Sequence, residues 1–389
     1  MRWIKLILLF CFLNLSTGCW DLVEIDDQAL VMASGLDYAE NNQVEVTLQF
    51  ALPAGIATTQ GGVGKTVMAI TEKGKDGLAA LQKIQEQLPR KIFLGHRSIV
   101  VIGEKYARHG IEQVLDEFMR SPYSRSNTYI LTAHGTTAKE LLQTPFLYEQ
   151  IPAIGLKKNQ LGGFSLSIKL PEFLNAIASY GRSPITGAVR LIDNTSEGKL
   201  FRIDEVAVYR ENKLSGFLAQ REANSLFWLP NGPKHNDMTI KVKEKTAFQK
   251  GTITCQILRP SAKIHADIKK GKPSFTFDLK VSGRVMENDS NLDLSSVSNL
   301  KLVENKFSEH IEQLSRRTIQ QLQQKLKTDA LGFGEVLHRE HPYYWKKIKE
   351  QWEQDLYPNV PVAVKVDVNI ERIGRTQGPA HLKQKDILK

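Results

Sequence analysis

The stretch Val360-Pro361-Val362-Ala363-Val364-Lys365-Val366-Asp367-Val368-Asn369-Ile370 decides the reading of the fold. Valine or isoleucine holds every second place, and Pro, Ala, Lys, Asp and Asn fill the places between. Strand side chains point alternately to opposite faces, so this is a strand with one buried face and one wet face. The residues before it supply a cover for the buried side. Val303, Phe307, Ile311, Leu314, Leu322 and Leu326 recur at steps of three and four, with a gap at Thr318, which predicts a long amphipathic helix. Pro342 opens a second helix carrying Trp345, Ile348, Trp352 and Leu356. Earlier still, six short strands are expected, at 201–209, 213–219, 237–245, 251–258, 263–268 and 274–286. This half therefore reads as a largely antiparallel sheet with long helices packed on one face.

The N-terminal half mixes its elements. Strands are expected at 29–36, 43–50, 92–102 and 127–133. Between them lie helices on Leu78, Leu81, Ile84 and Leu88, and on Ala107, Ile111, Val114, Leu115 and Phe118; another opens at Pro171 with Leu174 and Ile177. The polar run Asp193-Asn194-Thr195-Ser196-Glu197-Gly198-Lys199 is the expected boundary between halves. The fold class is α+β, multi-domain, with mixed sheets and packed helices. The expected division is a signal peptide over 1–18, an N-terminal α/β domain over 19–192 that could hold two subdomains, a C-terminal α+β domain over 200–375 and a basic tail over 376–389.

The first residues determine where the rest resides. Arg2 and Lys5 precede the apolar run Leu6 to Leu13, as in a secretory signal, and that run is far short of the roughly 20 apolar residues that span a bilayer. Ser16, Thr17 and Gly18 then lead to Cys19. This order resembles a bacterial lipobox, which implies acylation of Cys19 after cleavage. Leu15 sits one residue earlier than the usual lipobox leucine, and Ser16 takes that place; a signal cut without lipidation, or an uncleaved anchor, are the alternatives. Cys11 leaves with the signal and Cys19 would carry lipid, so Cys255 has no disulfide partner and reads as a small apolar residue in a strand.

Formal charge is +10, and loss of Arg2 and Lys5 with the signal leaves +8. Lysines recur at 241, 243, 245 and 250, at 269, 270 and 272, and at 383, 385 and 389. Nucleic-acid binding would interleave such cations with exposed aromatics in a recognisable module, and none is visible. An anionic leaflet beside the protein accounts for the charge, as do plain solvated strand faces.

Motifs for chemistry are thin. Gly61-Gly62-Val63-Gly64-Lys65-Thr66 looks like a phosphate loop, but Thr59 holds the first glycine position, and Val67 to Glu72 alternates as a strand where a helix is required. A Gly-rich hairpin loop is expected instead. His338 and His341 are three apart, with Pro342 at once after them and no third ligand, so surface or capping roles are expected of them. Asp204 and Glu205 adjoin in a strand and should face opposite ways. No catalytic set, metal site or cofactor is expected.

A family emerges from combinations. Gly18-Cys19-Trp20-Asp21, Glu24-Ile25-Asp26-Asp27 and Leu30 to Asp37 resemble the mature start of the GerC-type spore germination lipoproteins. So do Val206 to Arg210, Lys213 to Leu218, Glu222 and Leu226-Phe227-Trp228-Leu229. The most specific block is Asp329-Ala330-Leu331-Gly332-Phe333-Gly334, then His341-Pro342, Trp345-Lys346, Trp352 and Pro358. Departures are Ser16, and Ala207 where a glycine-like residue is usual. The resemblance implies a non-enzymatic, lipid-anchored C subunit of a nutrient germinant receptor in the inner membrane of endospores, working with two integral membrane subunits, one of them transporter-like. A stand-alone lipid-anchored solute- or glycan-binding protein is the alternative, with Trp228, Trp345 and Trp352 as its candidate platforms. Trp345 and Trp352, seven apart on one helical face, are expected to pack in the core.

Overall fold

The computed structural model describes residues 24–52, 66–120, 127–146, 148–195, 198–234, 236–242 and 251–374, together with Trp3. Its first sheet holds nine strands: β1 (Gln28–Ala39), β2 (Gln43–Ala51), β3 (Val67–Gly74), β4 (Lys91–Phe93), β5 (Ile99–Ile102), β6 (Tyr129–Ala133), β7 (Ile185–Thr195), β8 (Gly198–Arg210) and β9 (Lys213–Leu218). Their order is β3-β2-β1-β5-β6-β7-β8-β9, with β4 beside the start of β1. Neighbours among β1, β5, β6 and β7 run parallel; the flanking pairs are antiparallel.

Parallel strands need crossovers, and helices supply them. These are α1 (Gly77–Glu86), α2 (Glu104–His109), α3 (Glu112–Arg120), α4 (Ala138–Gln143), α5 (Pro152–Leu161) and α6 (Leu170–Ala178). Alternate residues of β5 serve two cores. Ile99 and Val101 pack with Leu141, Leu142 and Leu156 on one side, and Val100 and Ile102 with Ile84, Tyr106 and Val114 on the other. Both faces are thus covered, as a parallel centre demands. At the expected boundary β7 pairs β8, with Asp193 opposite Lys199 and Thr195 opposite Gly198, and the sheet runs on to β9.

After α7 (Gln220–Asn224) comes the second sheet, ordered β10 (Asp237–Lys241), β11 (Thr252–Lys269), β12 (Lys272–Asn288) and β13 (Val362–Arg372). Its first three strands are antiparallel, and β13 joins β12 in parallel. The intervening crossover holds α8 (Val297–Gln320), α9 (Phe333–Glu340) and α10 (Pro342–Ile348). Helix α8 buries Val303, Phe307, Ile311 and Leu314. Thr318 fills the gap in that stripe: it is buried, and its hydroxyl pairs with Ser225 Oγ at 2.8 Å while donating to Leu314 O at 3.1 Å. The same helix closes the outer edge of β13. Ser308 Oγ accepts from Val368 N at 3.2 Å, Glu304 Oε1 accepts from Ile370 N at 2.9 Å, and Arg316 Nη2 donates to Val364 O at 3.2 Å.

Several expected elements change shape. The helix over 107–118 is two, α2 and α3, parted at Gly110 with φ +125°. The strand region 92–102 is interrupted by a 3₁₀ turn over Leu94–His96. The two strands 251–258 and 263–268 are one, β11, which passes through Pro260 after a register shift between Ile257 and Arg259. Pro260 is tolerated because β10 pairs β11 only up to Gln256, so no ladder partner needs its missing N–H on that side. The second helix stops at Ile348, and Trp352 opens a separate wide turn over Trp352–Leu356.

Candidate functional site at the junction of the two sheets

The Asp329 to Gly334 motif folds around one buried carboxylate. Asp329 Oδ1 accepts from Gly332 N at 2.9 Å and Phe333 N at 3.0 Å; Oδ2 accepts from Gly334 N at 2.7 Å and Trp352 Nε1 at 2.9 Å. The side chain thereby satisfies the free N–H groups at the start of α9. Asp329 is fully buried, and burial pushes its carboxyl up to about 7 against the pull of those donors. A carboxylate offers about four lone-pair directions, and each here faces an N–H, which works against the rise that burial imposes.

The glycines of the motif serve close approach. A Cβ on Gly334 would lie 2.6 Å from Trp352 Nε1 and 2.7 Å from Gly181 Cα. Gly181, at φ +80°, belongs to the segment linking α6 to β7 in the first sheet. Backbone bonds lock the two: Ser183 N donates to Asp329 O at 2.9 Å and Glu335 N to Gly181 O at 2.9 Å. Glu353 completes the bridge, accepting from the Ser183 hydroxyl and, at 3.1 Å, from Asp329 N. Its carboxyl is raised, chiefly by burial. Around this knot the aromatic rings interlock, with Trp345 edge-on to Trp352 at 5.7 Å and Phe275 edge-on to Phe333 at 5.0 Å.

A cavity of about 300 Å³ opens beside the knot, lined by Tyr180, Arg182, Arg210, Glu211, Lys349 and Glu353. Lys349 Nζ sits 4.3 Å over the Tyr180 ring. Both charge signs face this cleft, which suits polar recognition. Ser183 is not a poised nucleophile: it is buried and its hydroxyl is committed to Glu353.

A second polar cluster lies at the end of β6. His134 Nδ1 meets Glu205 Oε2 at 2.5 Å, and the imidazole stacks on Phe217 at 3.8 Å. Asp204 and Glu205 do not face opposite ways. A bulge where Ala188 and Val189 oppose Glu205 and Ile203 leaves Asp204 as the extra residue, and both carboxylates reach Arg190, at 3.1 and 3.8 Å.

The other expected residues fall into place singly. His338 stacks on Trp345 at 6.0 Å, and His341 Nε2 pairs with Ala266 O at 3.1 Å. Among the described residues no three His, Cys, Asp or Glu are grouped to hold a metal ion. Cys255 is buried in β11, which pushes its thiol up to about 12. Trp345 and Trp352 are core residues, and Trp228 leans on Phe277 at 4.9 Å. Cys19 lies outside the described residues, as does the Gly-rich stretch through Lys65. The strands that flank that stretch, β2 and β3, pair antiparallel up to Ala51 and Val67, a hairpin and not a strand-to-helix turn. Sequence reading missed Ser183, Gly181 and Glu353, whose significance comes from partners 146 to 170 residues away.

Comparison with known proteins extends over both sheets. Residues 21–191 match the spore germination protein N-terminal domain, and residues 204–374 match the spore germination B3/GerAC-like C-terminal domain. The chain is 28% identical to the putative spore germination protein YfkR of Bacillus subtilis (strain 168), over 94% of this chain and 95% of that one. Spore germination protein B3 of the same organism is 26% identical, over 90% and 92%, and spore germination protein KC is 24% identical, over 95% of each. The crystal structure of the GerBC protein shares the fold with a TM-score of 0.55 at 22% identity, covering 87% of this chain and 96% of that one. With both halves matched in order by the two domains of one family, the chain is a member of the GerAC-like, GerC-type spore germination proteins.

Proposed function

We propose that this protein is the lipid-anchored subunit of a nutrient germinant receptor, tethered through Cys19 to the outer face of the spore inner membrane. It acts by contact with two integral membrane subunits and carries out no catalysis of its own. The observation that carries this reading is the ordered match of both domains to germination proteins behind an N-terminal signal ending in Gly18-Cys19. Among the described residues no helix is long and apolar enough to cross a membrane, so attachment would fall to the N-terminus. Residues 19–192 and 200–375 are the proposed domains; they share the first sheet through the β7–β8 pair and meet again at the Asp329 knot.

A stand-alone binder of solutes or glycans would need exposed aromatic platforms. Trp345 and Trp352 are instead committed to packing and to Asp329. Deleting the gene in a sporulating host stripped of redundant receptors should abolish germination toward at least one nutrient. Normal responses to a full nutrient panel would overturn the assignment. Cys19→Ala should shift the protein from the membrane fraction to the soluble fraction, or block its maturation.

A further inference from the structure

The end of the first sheet from which β1, β4, β5 and β6 start carries exposed apolar side chains on elements that cover both of its faces. Ile25 stands immediately before β1. Met119 is at the end of α3, on the way back to β6. Leu161 and Phe164 flank the end of α5, on a loop whose Ile168 O accepts from Ile130 N at the start of β6. Tyr148 adjoins Gln150, whose carbonyl accepts from Thr66 Oγ1 beside the first residue of β3. Exposure runs from 49% at Leu161 to 87% at Tyr148, well beyond what the core requires of such residues.

The covalent chain says what this rim meets. Glu24 is five residues after Cys19. Even fully extended, that span reaches only about 18 Å. A lipid on Cys19 starts at the acyl boundary, beneath a headgroup layer several ångströms deep. The start of β1 is therefore held within about 18 Å of the acyl boundary, near enough for the rim around it to meet the bilayer. Charge on the rim is mixed: Lys158 pairs with Glu149, Lys91 sits opposite Gln28 just after Asp26 and Asp27, and Lys234 N donates to Gly163 O beside Phe164. Attraction to anionic lipid is not what this surface offers.

We propose that this rim is a membrane-apposed face, with Phe164, Leu161, Met119, Tyr148 and Ile25 entering the headgroup region of the bilayer. The inference rests on the Cys19 anchor of the proposed function. Aromatic and aliphatic side chains at that depth exchange water for the acyl boundary while polar neighbours stay wet. The tether alone leaves orientation free; the rim fixes it.

The test uses the mature chain 19–389, in which Cys19 is coupled by maleimide chemistry to a headgroup-modified lipid in phosphatidylcholine vesicles. Cys255 is buried and does not compete. Hydrogen exchange is compared with the same protein coupled to a soluble maleimide. Amides of residues 118–120 and 161–165 should exchange about threefold or more slowly on vesicles, while residues 269–272 are unchanged. Adding anionic lipid should alter this little, and Phe164→Ser with Leu161→Ser should remove the slowing without changing near-ultraviolet dichroism. Equal exchange at the rim on vesicles and in solution, or slowing at 269–272 instead, overturns the proposal. Slowing that appears only when membranes containing other receptor subunits are supplied would make the rim a protein interface and also overturn it. Because the lipid is attached chemically, failure of Cys19 acylation in cells would defeat the proposed function and leave this result standing.

Discussion

Each sheet has a buried aspartate that receives backbone N–H groups at the start of a helix, and the two are used differently. Asp37, in β1, accepts from Ala138 N at 2.9 Å and Lys139 N at 2.8 Å, one hundred residues on, and so pins α4 to its own sheet. Asp329 accepts four N–H groups, three from its own loop and one from Trp352, and holds up a surface against which Gly181 and Ser183 of the first unit dock. The first carboxylate is a fastening within a layer. The second is a fastening between layers, and it has twice the donors. Burial raises both carboxyls, and the backbone donors work against that rise.

Breaking the second fastening should cost the most. Asp329→Ala leaves four buried N–H groups without an acceptor and should destabilise the chain by about 4 kcal/mol, measured by urea unfolding followed on tryptophan fluorescence. The same variant should flatten the pH dependence. Asp329, Asp37, Glu117 and Glu353 all have raised carboxyls, so between about pH 4 and pH 7 the folded chain binds more protons than the unfolded chain. Stability from these groups is complete below the unfolded carboxylate range and is lost as pH rises through about 7. A difference in stability between wild type and Asp329→Ala that grows from pH 5 to pH 8 would contradict this.

The first fastening has its own weak point. A Cβ on Gly103 would lie 1.9 Å from Asp37 Oδ1, so Gly103→Ala should cost about 3 kcal/mol. Asp37→Asn keeps one acceptor for two N–H groups and should cost about 2 kcal/mol, with hydrogen exchange quickening first at Ala138 and Lys139. Glu353→Gln keeps an oxygen for Ser183 and Asp329 N, and should cost only about 1 kcal/mol. If Glu353→Gln matched Asp329→Ala, the fastening between layers would belong to Glu353 and the contrast drawn here would fail.

Legibility in the sequence followed the length of the pattern. Strand β13 and helix α8 repeat one rule over many residues, and both stand where periodicity puts them. Helices α4 and α5 and strand β7 went unread, the first because six residues hold barely two turns. Pro260 reads as a break from local rules, and only the shortness of β10 makes it harmless. The Asp329 motif was visible as a string of residues. Its meaning was not, because Ser183 and Glu353 meet across 170 positions and neither carries a local signal. The opposed facing expected for Asp204 and Glu205 failed for a related reason, since a bulge is set by the partner strand.

The side chains of α8 along β13 have a consequence for crowding. A molecule confined to a surface, as the proposed anchor would make this one, meets its neighbours far more often than one in solution, and a bare strand edge would invite them to pair and propagate. Glu304, Ser308 and Arg316 occupy the backbone groups such a neighbour would need. The second sheet is thereby finished on that side, and copies can be packed densely together without one sheet growing into the next.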